Sequence, residues 1–326
     1  MKEDKPPIRG ITQWKLRART LELGRRTLVM GVVNVTPDSF SDGGFFVEPE
    51  VAIAQAIRLL EDGADVLDLG AESTRPGSRA GFLSAAAGSS GTAPAVSAEE
   101  EQARLLPVLE AILEARPEAI VSVDTYKAET ARAALAAGAE IVNDVSGFFW
   151  DSGLASVCAE AGCGVVLMHT RGRPDEWAAQ PQLTPDALLE TVRSGLQLSL
   201  DKASAAGIAA ESIVLDPGYG FGKSGQENFA LLARQAELLA LGRPLLAGVS
   251  RKSFLGQALA PLYGGKPAPT EARETVSLAG LVAAILHGAS VVRVHQVRAA
   301  VEAALVADAV VRGRDQGSGV RGQAGR

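Results

Sequence analysis

Short runs rich in Val, Ile and Leu recur along the chain, and each is followed by a turn and a longer stretch with helical periodicity. This alternation predicts repeated strand and helix units rather than a sandwich of antiparallel strands. Apolar runs such as IVSVD and GVVLMH are typical of parallel strands, because helices cover the outer face of such a sheet. Eight strands of this kind close a (β/α)8 TIM barrel, an α/β fold. The predicted strands are 28–34, 65–70, 119–124, 140–144, 164–169, 212–216, 244–249 and 290–295.

Three predicted joints between a helix and the next strand share a glycine, in LEDGADVLDL, ALAAGAEIVN and ILHGASVVRV. Glycine is the usual residue where a helix ends in a left-handed turn, so these joints support the order of helix and strand. The pattern ahead of the first strand, at 14–27, predicts a small β-hairpin at the barrel floor.

The predicted organisation is one barrel domain, 15–312, after an N-terminal tail, 1–14. Residues 80–96 are rich in Ala, Gly and Ser, which predicts a flexible insertion in the second strand-to-helix loop. The C-terminal segment 313–326 lacks apolar periodicity, which predicts disorder.

Composition narrows the possible partners and the compartment. Of the 326 residues, 47% are hydrophobic and 21% are charged, a balance that can bury a large core. The net charge of -6 and the lack of a basic block argue against a nucleic-acid partner. Cys158 and Cys163 have no second pair at zinc-ligand spacing, which predicts buried thiols in a reducing compartment.

Neither a secretory signal nor a membrane span is predicted. The opening residues, MKEDKPPIRG, lack the apolar core of a signal peptide. The uncharged stretch 275–292 is long enough to raise the question of a span, but Gly280, His287 and Gly288 interrupt it. It divides better into a buried helix, a glycine turn and a strand. We therefore expect a soluble, cytoplasmic protein with no membrane partner.

Nearly every predicted strand ends in a polar residue. Barrel enzymes place catalysis at these ends, because the loops that follow the strands converge there. A single Asp or Asn of this kind often does no more than cap a helix or satisfy loop backbone. A whole ring of buried carboxylates, amides and cations is costly unless it binds something. The ring contains Asn34, Asp68, Glu72, Asp124, Asn143, Asp144, His169, Asp216, Arg251, Lys252, Arg293 and His295.

The first two loops after these strands carry groups suited to anions and hard cations. The first, NVTPDSFSDGG at 34–44, offers several oxygens to a cation such as Mg²⁺. The second, ESTRPGS at 72–78, contains Arg75, whose planar fork suits phosphate oxygens. With Arg293 and His295 these loops suggest an anionic leaving group.

The segment DPGYGFGKS at 216–224 does not fit a phosphate-binding P-loop, since that pattern needs Gly where Pro217 stands. It fits a strand-ending carboxylate and a glycine loop that leaves room for a flat ligand under Phe221. Asp216 is then able to accept two hydrogen bonds from an amidine-like ring edge. Lys252, in SRKS, suits either a Schiff base or ligand binding, and its neighbours Arg251 and Ser253 favour ligand binding.

Seven motifs, in this order, resemble those of the dihydropteroate synthases, a family of pterin-binding TIM barrels: NVTPDSFSDGG, ESTRPGS, SVDTYK, IVNDVSG, DPGYGFGK, SRKSFLG and RVH. The resemblance covers about residues 15–312. It implies a transferase of folate biosynthesis that condenses 6-hydroxymethyl-7,8-dihydropterin diphosphate with 4-aminobenzoate, giving 7,8-dihydropteroate and diphosphate. It also implies Mg²⁺ and a homodimer.

The resemblance assigns roles to residues at matched positions. The pterin would be bound by Asp124, Asn143, Met168, Asp216, Phe221, Lys252 and Arg293. The diphosphate would be held by Asn34, Thr74, Arg75, Arg293 and His295, and the metal by Asn34 and Asp42. The 4-aminobenzoate site would be shaped by Phe40, Pro76 and Ser253. The groups acting on the reacting bond would be Asp42, Lys252, Arg293 and His295.

Two features depart from the family pattern. Gln296 follows RVH where the family has Asp, and 80–96 extends a loop that must close over the second substrate. Two other functions remain open at this point. A methyltetrahydrofolate-corrinoid methyltransferase shares the Asp and Asn pterin contacts but does not need the anion-binding set of Arg75, Arg293 and His295. A silent paralogue that binds pterin as a scaffold would not need intact loop motifs.

Overall fold

A computed structural model describes residues 9–35, 49–70 and 96–319. Its strands are β1 (Thr12–Lys15), β2 (Thr20–Leu23), β3 (Leu28–Asn34), β4 (Val66–Gly70), β5 (Val121–Asp124), β6 (Ile141–Asp144), β7 (Gly164–Met168), β8 (Ile213–Asp216), β9 (Leu245–Ala247) and β10 (Ala289–Val294). Eight of them are parallel and form a closed barrel in the order β10, β3, β4, β5, β6, β7, β8, β9. The (β/α)8 prediction is confirmed, and each predicted strand is present with similar bounds.

Helices follow the barrel strands and cover the outer face of the sheet. They are α1 (Pro49–Glu61), α2 (Ala98–Ala115), α3 (Ala128–Ala136), α4 (Leu154–Ala161), α5 (Pro185–Ala205), α6 (Gly225–Arg234), α7 (Ser253–Ala258), α8 (Glu274–Leu286) and α9 (Val297–Gly319). Local sequence explains where such a helix starts. At α2, Ser97 accepts a hydrogen bond from the backbone N–H of Glu100, at 3.1 Å.

The three glycine joints are confirmed. Gly63, Gly138 and Gly288 have φ angles of 100°, 112° and 97°, which a residue with a Cβ rarely adopts. The last of them separates α8 from β10, so the uncharged stretch is a helix, a turn and a strand as predicted. None of the helices in the described residues is long and apolar enough to cross a membrane. Cys158 and Cys163 are free and buried, also as predicted.

The predicted hairpin plugs the floor of the barrel. Strands β1 and β2 pair antiparallel, with Trp14 opposite Leu21. Trp14, Leu16 and Leu23 are almost completely buried against the lowest inward side chains of the barrel. The indole N–H of Trp14 donates to the Ser212 carbonyl at 3.0 Å, so this buried polar atom is satisfied.

A buried ion pair ties the last helix to the same floor. Arg9 and Asp308 pair with side chains that are 2% and 4% exposed. Arg9 also donates to the Ala289 carbonyl at 2.7 Å, and Asp308 accepts from the backbone N–H of Thr27 at 2.8 Å. The floor is therefore fixed by apolar packing and by charge, well below the polar strand ends.

The chain ends differently from the prediction. Helix α9 continues to Gly319, so 313–319 is helical where disorder was expected. Extending an existing helix costs little because no new turn has to be nucleated, and a segment needs no apolar periodicity for that. Residues 320–326 and the predicted insertion, apart from Val96 just before α2, lie outside the described residues. The predicted tail 1–14 is also too long, because β1 begins at Thr12 and Arg9 is buried in the barrel floor. The other domain bounds stay predictions.

Replacing Trp14 by Ala is expected to lower the free energy of unfolding by about 3–5 kcal/mol, because it removes a large side chain from a fully buried site. Ile11→Ala is the matched control, since Ile11 is 63% exposed in the same segment, and its effect should stay within about 0.5 kcal/mol. Urea unfolding measures both. Equal effects of the two substitutions would contradict the plug.

Candidate active site

The inward side chains of the barrel strands form successive layers, of which the lowest is apolar and the next is mostly polar. Every second residue of a strand points to the same face, so the inward positions form successive layers. The lowest layer is apolar and includes Met30, Val66 and Ile141. Two residues further along the strands the inward layer is mostly polar. Its members include Asp68, Ser122, Asn143, Met168, Asp216 and Arg293.

Asp68 lies at the centre of a hydrogen-bond network in this polar layer. Its carboxylate is fully buried and accepts from Ser122 Oγ at 2.6 Å and from Asn143 Nδ2 at 3.1 Å. It also accepts from Arg293 Nε at 2.5 Å. Three donors from three different strands therefore converge on one carboxylate.

Arg293 is shared between two carboxylates. Its Nη2 donates to Asp124 Oδ2 at 2.7 Å, in addition to the bond from Nε to Asp68. Burial raises the pKa of Asp124 to about 7, while the positive charge of Arg293 opposes that rise. The side chains of Arg293 and Asp124 are 24% and 13% exposed, so both reach the mouth of the barrel. This pair can meet a ligand that enters from the mouth.

Asp216 is the second carboxylate acceptor at the mouth. Its Oδ1 accepts from the backbone N–H of Gly218 at 2.7 Å. Burial raises the pKa of Asp216. The hydrogen bond from Gly218 opposes this rise, and so do the positive charges of Lys252, Lys223 and Arg293. The site therefore combines buried acceptors with cations that lower the cost of their charge.

The glycine loop after β8 is held in place by a buried lysine. Lys223 donates to the carbonyls of Gly218, Phe221 and His169, at 2.8, 3.2 and 3.2 Å. Burial lowers its pKa to about 7. Gly218 has a φ of 71°, and a Cβ there would lie 1.9 Å from the His169 carbonyl oxygen. The predicted glycine loop is confirmed, and the motif's lysine serves the backbone instead of a phosphate.

Lys252 is presented by a strained turn. The preceding Arg251 has a φ of 59°, uncommon for a residue with a side chain. Its Nε donates to Glu274 at 2.5 Å, and its backbone N–H donates to Ser277 Oγ at 2.9 Å. Lys252 Nζ then lies 4.0 Å from the centre of the Phe221 ring. Ligand binding, one of the two roles open for Lys252, fits this position.

Apolar side chains form a wall beside these polar groups. Met168 is buried with Tyr126 and Val145, and Phe221 and Trp150 pack against them. The Tyr126 and Trp150 rings meet edge to face with centres 5.1 Å apart. A flat aromatic ligand gains apolar contact against such a wall while the carboxylates take its edge.

His295 directly follows β10, two residues after Arg293, and Asn34 lies at the end of the neighbouring strand β3. Ser250 Oγ is 3.0 Å from His295 Nδ1, and the same hydroxyl accepts from the backbone N–H of His295 at 3.4 Å. These two contacts hold the imidazole ring in place at the end of β10. Asn34 ends β3, the strand that pairs with β10.

The structure brings most of the predicted residues to one mouth. Ser253 joins them, exposed at the start of α7. Asp144 instead accepts from the backbone N–H groups of Ser146 and Phe148, and His169 packs on Gly195 of α5, so neither is given a chemical role. The predicted residues that lie outside the described residues are Phe40, Asp42, Glu72, Thr74, Arg75 and Pro76.

Three residues make contacts in the site that the sequence did not predict: Asp68, Lys223 and Ser250. Asp68 was seen at a strand end but was given no role in the resemblance. Alternation gives the missing signal, since Asp68 stands two residues after the inward Val66 and therefore shares the layer of Asn143 and Arg293. Within 9–35, 49–70 and 96–319, no group of three or more His, Cys, Asp or Glu is arranged to hold a metal.

Comparison with known proteins agrees with this geometry. Residues 30–295 match the family described as pterin binding enzyme. A dihydropteroate synthase of Mycobacterium leprae is 44% identical over 281 residues, which are 86% of this chain and 92% of that protein. The structure of the Xanthomonas albilineans dihydropteroate synthase with 4-aminobenzoic acid has a TM-score of 0.77 and 40% identity, covering 92% of this chain and 98% of that one.

A third relative carries the reaction product. The Burkholderia cenocepacia dihydropteroate synthase complexed with 7,8-dihydropteroate has a TM-score of 0.76 and 35% identity, covering 94% of this chain and 99% of that one. Fold, ordered motifs and polar layer thus agree with the similarity over nearly the whole chain. The chain belongs to the pterin-binding enzymes and, within them, to the dihydropteroate synthases.

Proposed function

We propose that the polar layer carries out the family's reaction in two steps, with diphosphate leaving before the amine attacks. The overall reaction is the transferase step that joins 6-hydroxymethyl-7,8-dihydropterin diphosphate to 4-aminobenzoate in folate synthesis. In the first step the bond from the pterin methylene carbon to oxygen breaks, and its electron pair leaves with diphosphate. In the second the amine nitrogen bonds to that carbon and loses a proton.

The shared position of Arg293 is the observation that carries this proposal. Arg293 donates to Asp124 on one side. On the other side its strand β10 pairs with β3, which ends at Asn34, and His295 follows two residues further along the chain. The bond that breaks joins the pterin to diphosphate. The pterin side needs hydrogen-bond acceptors for its ring, and the diphosphate side needs cations for its negative charge. Arg293 lies at the boundary between these two environments.

The pterin half of the site consists of acceptors and a wall. Asp124, Asn143 and Asp216 accept from the ring N–H groups, and Met168 and Phe221 contact its faces. Negative charge beside the ring stabilises the electron-poor pterin methylene once diphosphate has left. Lys252 acts as a hydrogen-bond donor to the ring and forms no Schiff base, because the substitution requires no protein nucleophile.

The diphosphate half consists of Asn34, Arg293 and His295, to which the resemblance adds Thr74 and Arg75. His295 donates a ring N–H, and the planar guanidinium of Arg293 donates to two oxygens. Both stabilise the charge that grows on the leaving oxygen.

Mg²⁺ fits this donor set when diphosphate is bound. Magnesium in proteins takes oxygen ligands, often from one or two side chains with substrate phosphates and water. Asn34 offers an amide oxygen at the end of β3, and Asp42 is the carboxylate that the resemblance adds. When bound, Mg²⁺ would neutralise charge on the departing diphosphate.

The 4-aminobenzoate side of the site rests on Ser253, with Phe40 and Pro76 from the first two loops. The Xanthomonas albilineans relative with 4-aminobenzoic acid supports a site for this substrate. Holding the amine in line with the methylene carbon lowers the barrier because the two reactants no longer have to meet by diffusion.

The homodimer and the cytoplasmic location are also proposals. Helix α9 exposes the large apolar side chains of Leu305, Val306 and Val310. A second copy of the chain would cover this surface. The two free buried thiols suit a reducing compartment.

Asp216→Asn is expected to lower turnover about 100-fold or more while the fold is kept, because the carboxylate becomes an amide with only one acceptor oxygen. The assay measures 7,8-dihydropteroate formed from both substrates with Mg²⁺. Circular dichroism and thermal unfolding of the variant provide the control for folding. Full activity would remove Asp216 from the pterin site.

Pterin binding is expected to weaken as the pH falls below about 7, the raised pKa of Asp124. Protonation removes an acceptor for the ring and the ion pair with Arg293, so affinity should approach a fall of about tenfold per pH unit below that pKa. Titration with pteroic acid between pH 5 and 8 measures it. The Asp124→Asn variant should lose this dependence on pH, whereas the titration of Lys223, whose pKa burial lowers to about 7, is still present in that variant. An unchanged profile in Asp124→Asn would assign the titration to another group.

A further inference from the structure

Asp68 belongs to the polar layer, yet the proposed reaction leaves it without a task although its contacts are extensive. It is fully buried, and Ser122, Asn143 and Arg293 donate to it at 2.6, 3.1 and 2.5 Å. Of these donors, Asn143 belongs to the pterin half of the site. Arg293 belongs to the diphosphate half and lies at the boundary between the two. Asp68 therefore connects groups that bind different parts of one substrate.

The carboxylate of Asp68 decides which way the Asn143 amide faces. An ionised carboxylate only accepts, so the NH₂ group of Asn143 has to turn towards Asp68. Its Oδ1 then lies on the other side and is left to accept from a ring N–H. With an amide at position 68 the opposite orientation of Asn143 would become equally possible.

Asp68 also holds Arg293 on the side away from the ligand. The guanidinium is planar, so fixing Nε fixes the directions of both terminal nitrogens. Its other partner, Asp124, is 13% exposed whereas Asp68 is 0% exposed. A pterin that competes for Asp124 displaces the Nη2 contact only, and the Nε contact keeps the guanidinium in plane.

We propose that Asp68 is a positioning residue that orients Asn143 for the ring and Arg293 for the diphosphate, and so couples the two halves of the site. This inference rests on the proposed roles of those two residues. Asp68 itself touches neither substrate. Removing its charge weakens the binding of both substrate parts, because both partners lose their common acceptor.

A purely structural role is the competing explanation. Buried Asp–Arg pairs also stabilise folds, as Asp308 and Arg9 do at the barrel floor. Asp308→Asn is therefore the matched control, since it removes a buried carboxylate from an arginine far from the mouth. It is expected to lower the unfolding temperature and to leave ligand binding within about twofold of the wild type.

The experiment measures dissociation constants of the full chain for pteroic acid and, separately, for inorganic diphosphate with Mg²⁺. Asp68→Asn is nearly isosteric and is expected to weaken both by about tenfold or more, the scale for a lost hydrogen bond to a charged group. In an Arg293→Lys background it should no longer weaken diphosphate binding but should still weaken pteroic acid binding, through Asn143. If Asp68→Asn lowers the stability but leaves both dissociation constants unchanged, as is expected of Asp308→Asn, the inference is overturned.

Two other results bear on the proposal: a wild type that binds neither ligand, and an Asp68→Asn variant that does not fold. If the wild type binds neither ligand, the proposed roles of Asn143 and Arg293 fail first, and this inference fails with them. If Asp68→Asn does not fold, ¹⁵N-arginine labelling of the wild type reads the Nε–H of Arg293, identified by its absence in Arg293→Lys. That proton should exchange slowly and persist when inorganic diphosphate is added. Rapid exchange would overturn the proposal.

Discussion

The active site depends on one largely buried guanidinium. Arg293 is held between Asp68 and Asp124 inside a barrel, where an isolated charge of either sign would be costly. Burial lowers the pKa of Arg293, but the charges of Asp68 and Asp124, and then of the third buried carboxylate, Asp216, raise it above its ordinary value. The layer is stable as a set because each charge is partly compensated by another. The loss of Arg293 would leave Asp68 and Asp124 buried without the cation that they share.

The surrounding fold explains why this arrangement keeps its shape. The plug of Trp14 and the apolar layer above it fill the lower barrel, so the polar layer rests on a packed base. Above it, backbone and buried side chains fix the loops: Lys223 holds the glycine loop, and the Arg251 turn presents Lys252. Preorganised donors and acceptors need little reorganisation during reaction, which is how electrostatic catalysis gains most of its effect.

Much of this could be predicted from the sequence, for reasons that differ between residues. The strands followed from apolar runs and glycine joints, because burial on both faces and left-handed turns leave a direct mark on residue type. Asp124, Asn143 and Asp216 followed from their place at strand ends. The helical state of 313–319 did not, since the glycines of this segment and its lack of apolar positions both favour an earlier helix end.

The partners of each side chain were also beyond the sequence. Asp68 and Asp144 both appear as acidic residues of buried strands, yet one accepts from three side chains of the site and the other from loop backbone. Alternation decides which face each carboxylate takes, since Asp144 follows the inward Asn143 and points to the opposite face. Which donors meet Asp68 depends on the strand register of the closed barrel, which the sequence does not give. The sequence assigned no role to Lys223, and in the structure it donates to three backbone carbonyls.

The central claim is that the planar fork of Arg293, and not its charge alone, joins the two halves of the site. Steady-state kinetics of Arg293→Lys with the pterin diphosphate and 4-aminobenzoate test it most directly, because lysine keeps the charge and loses the fork. The account predicts a fall in kcat/KM for the pterin diphosphate of about 100-fold, with the KM for 4-aminobenzoate little changed. Rates close to those of the wild type would show that any positive charge at this position suffices, and would contradict the account.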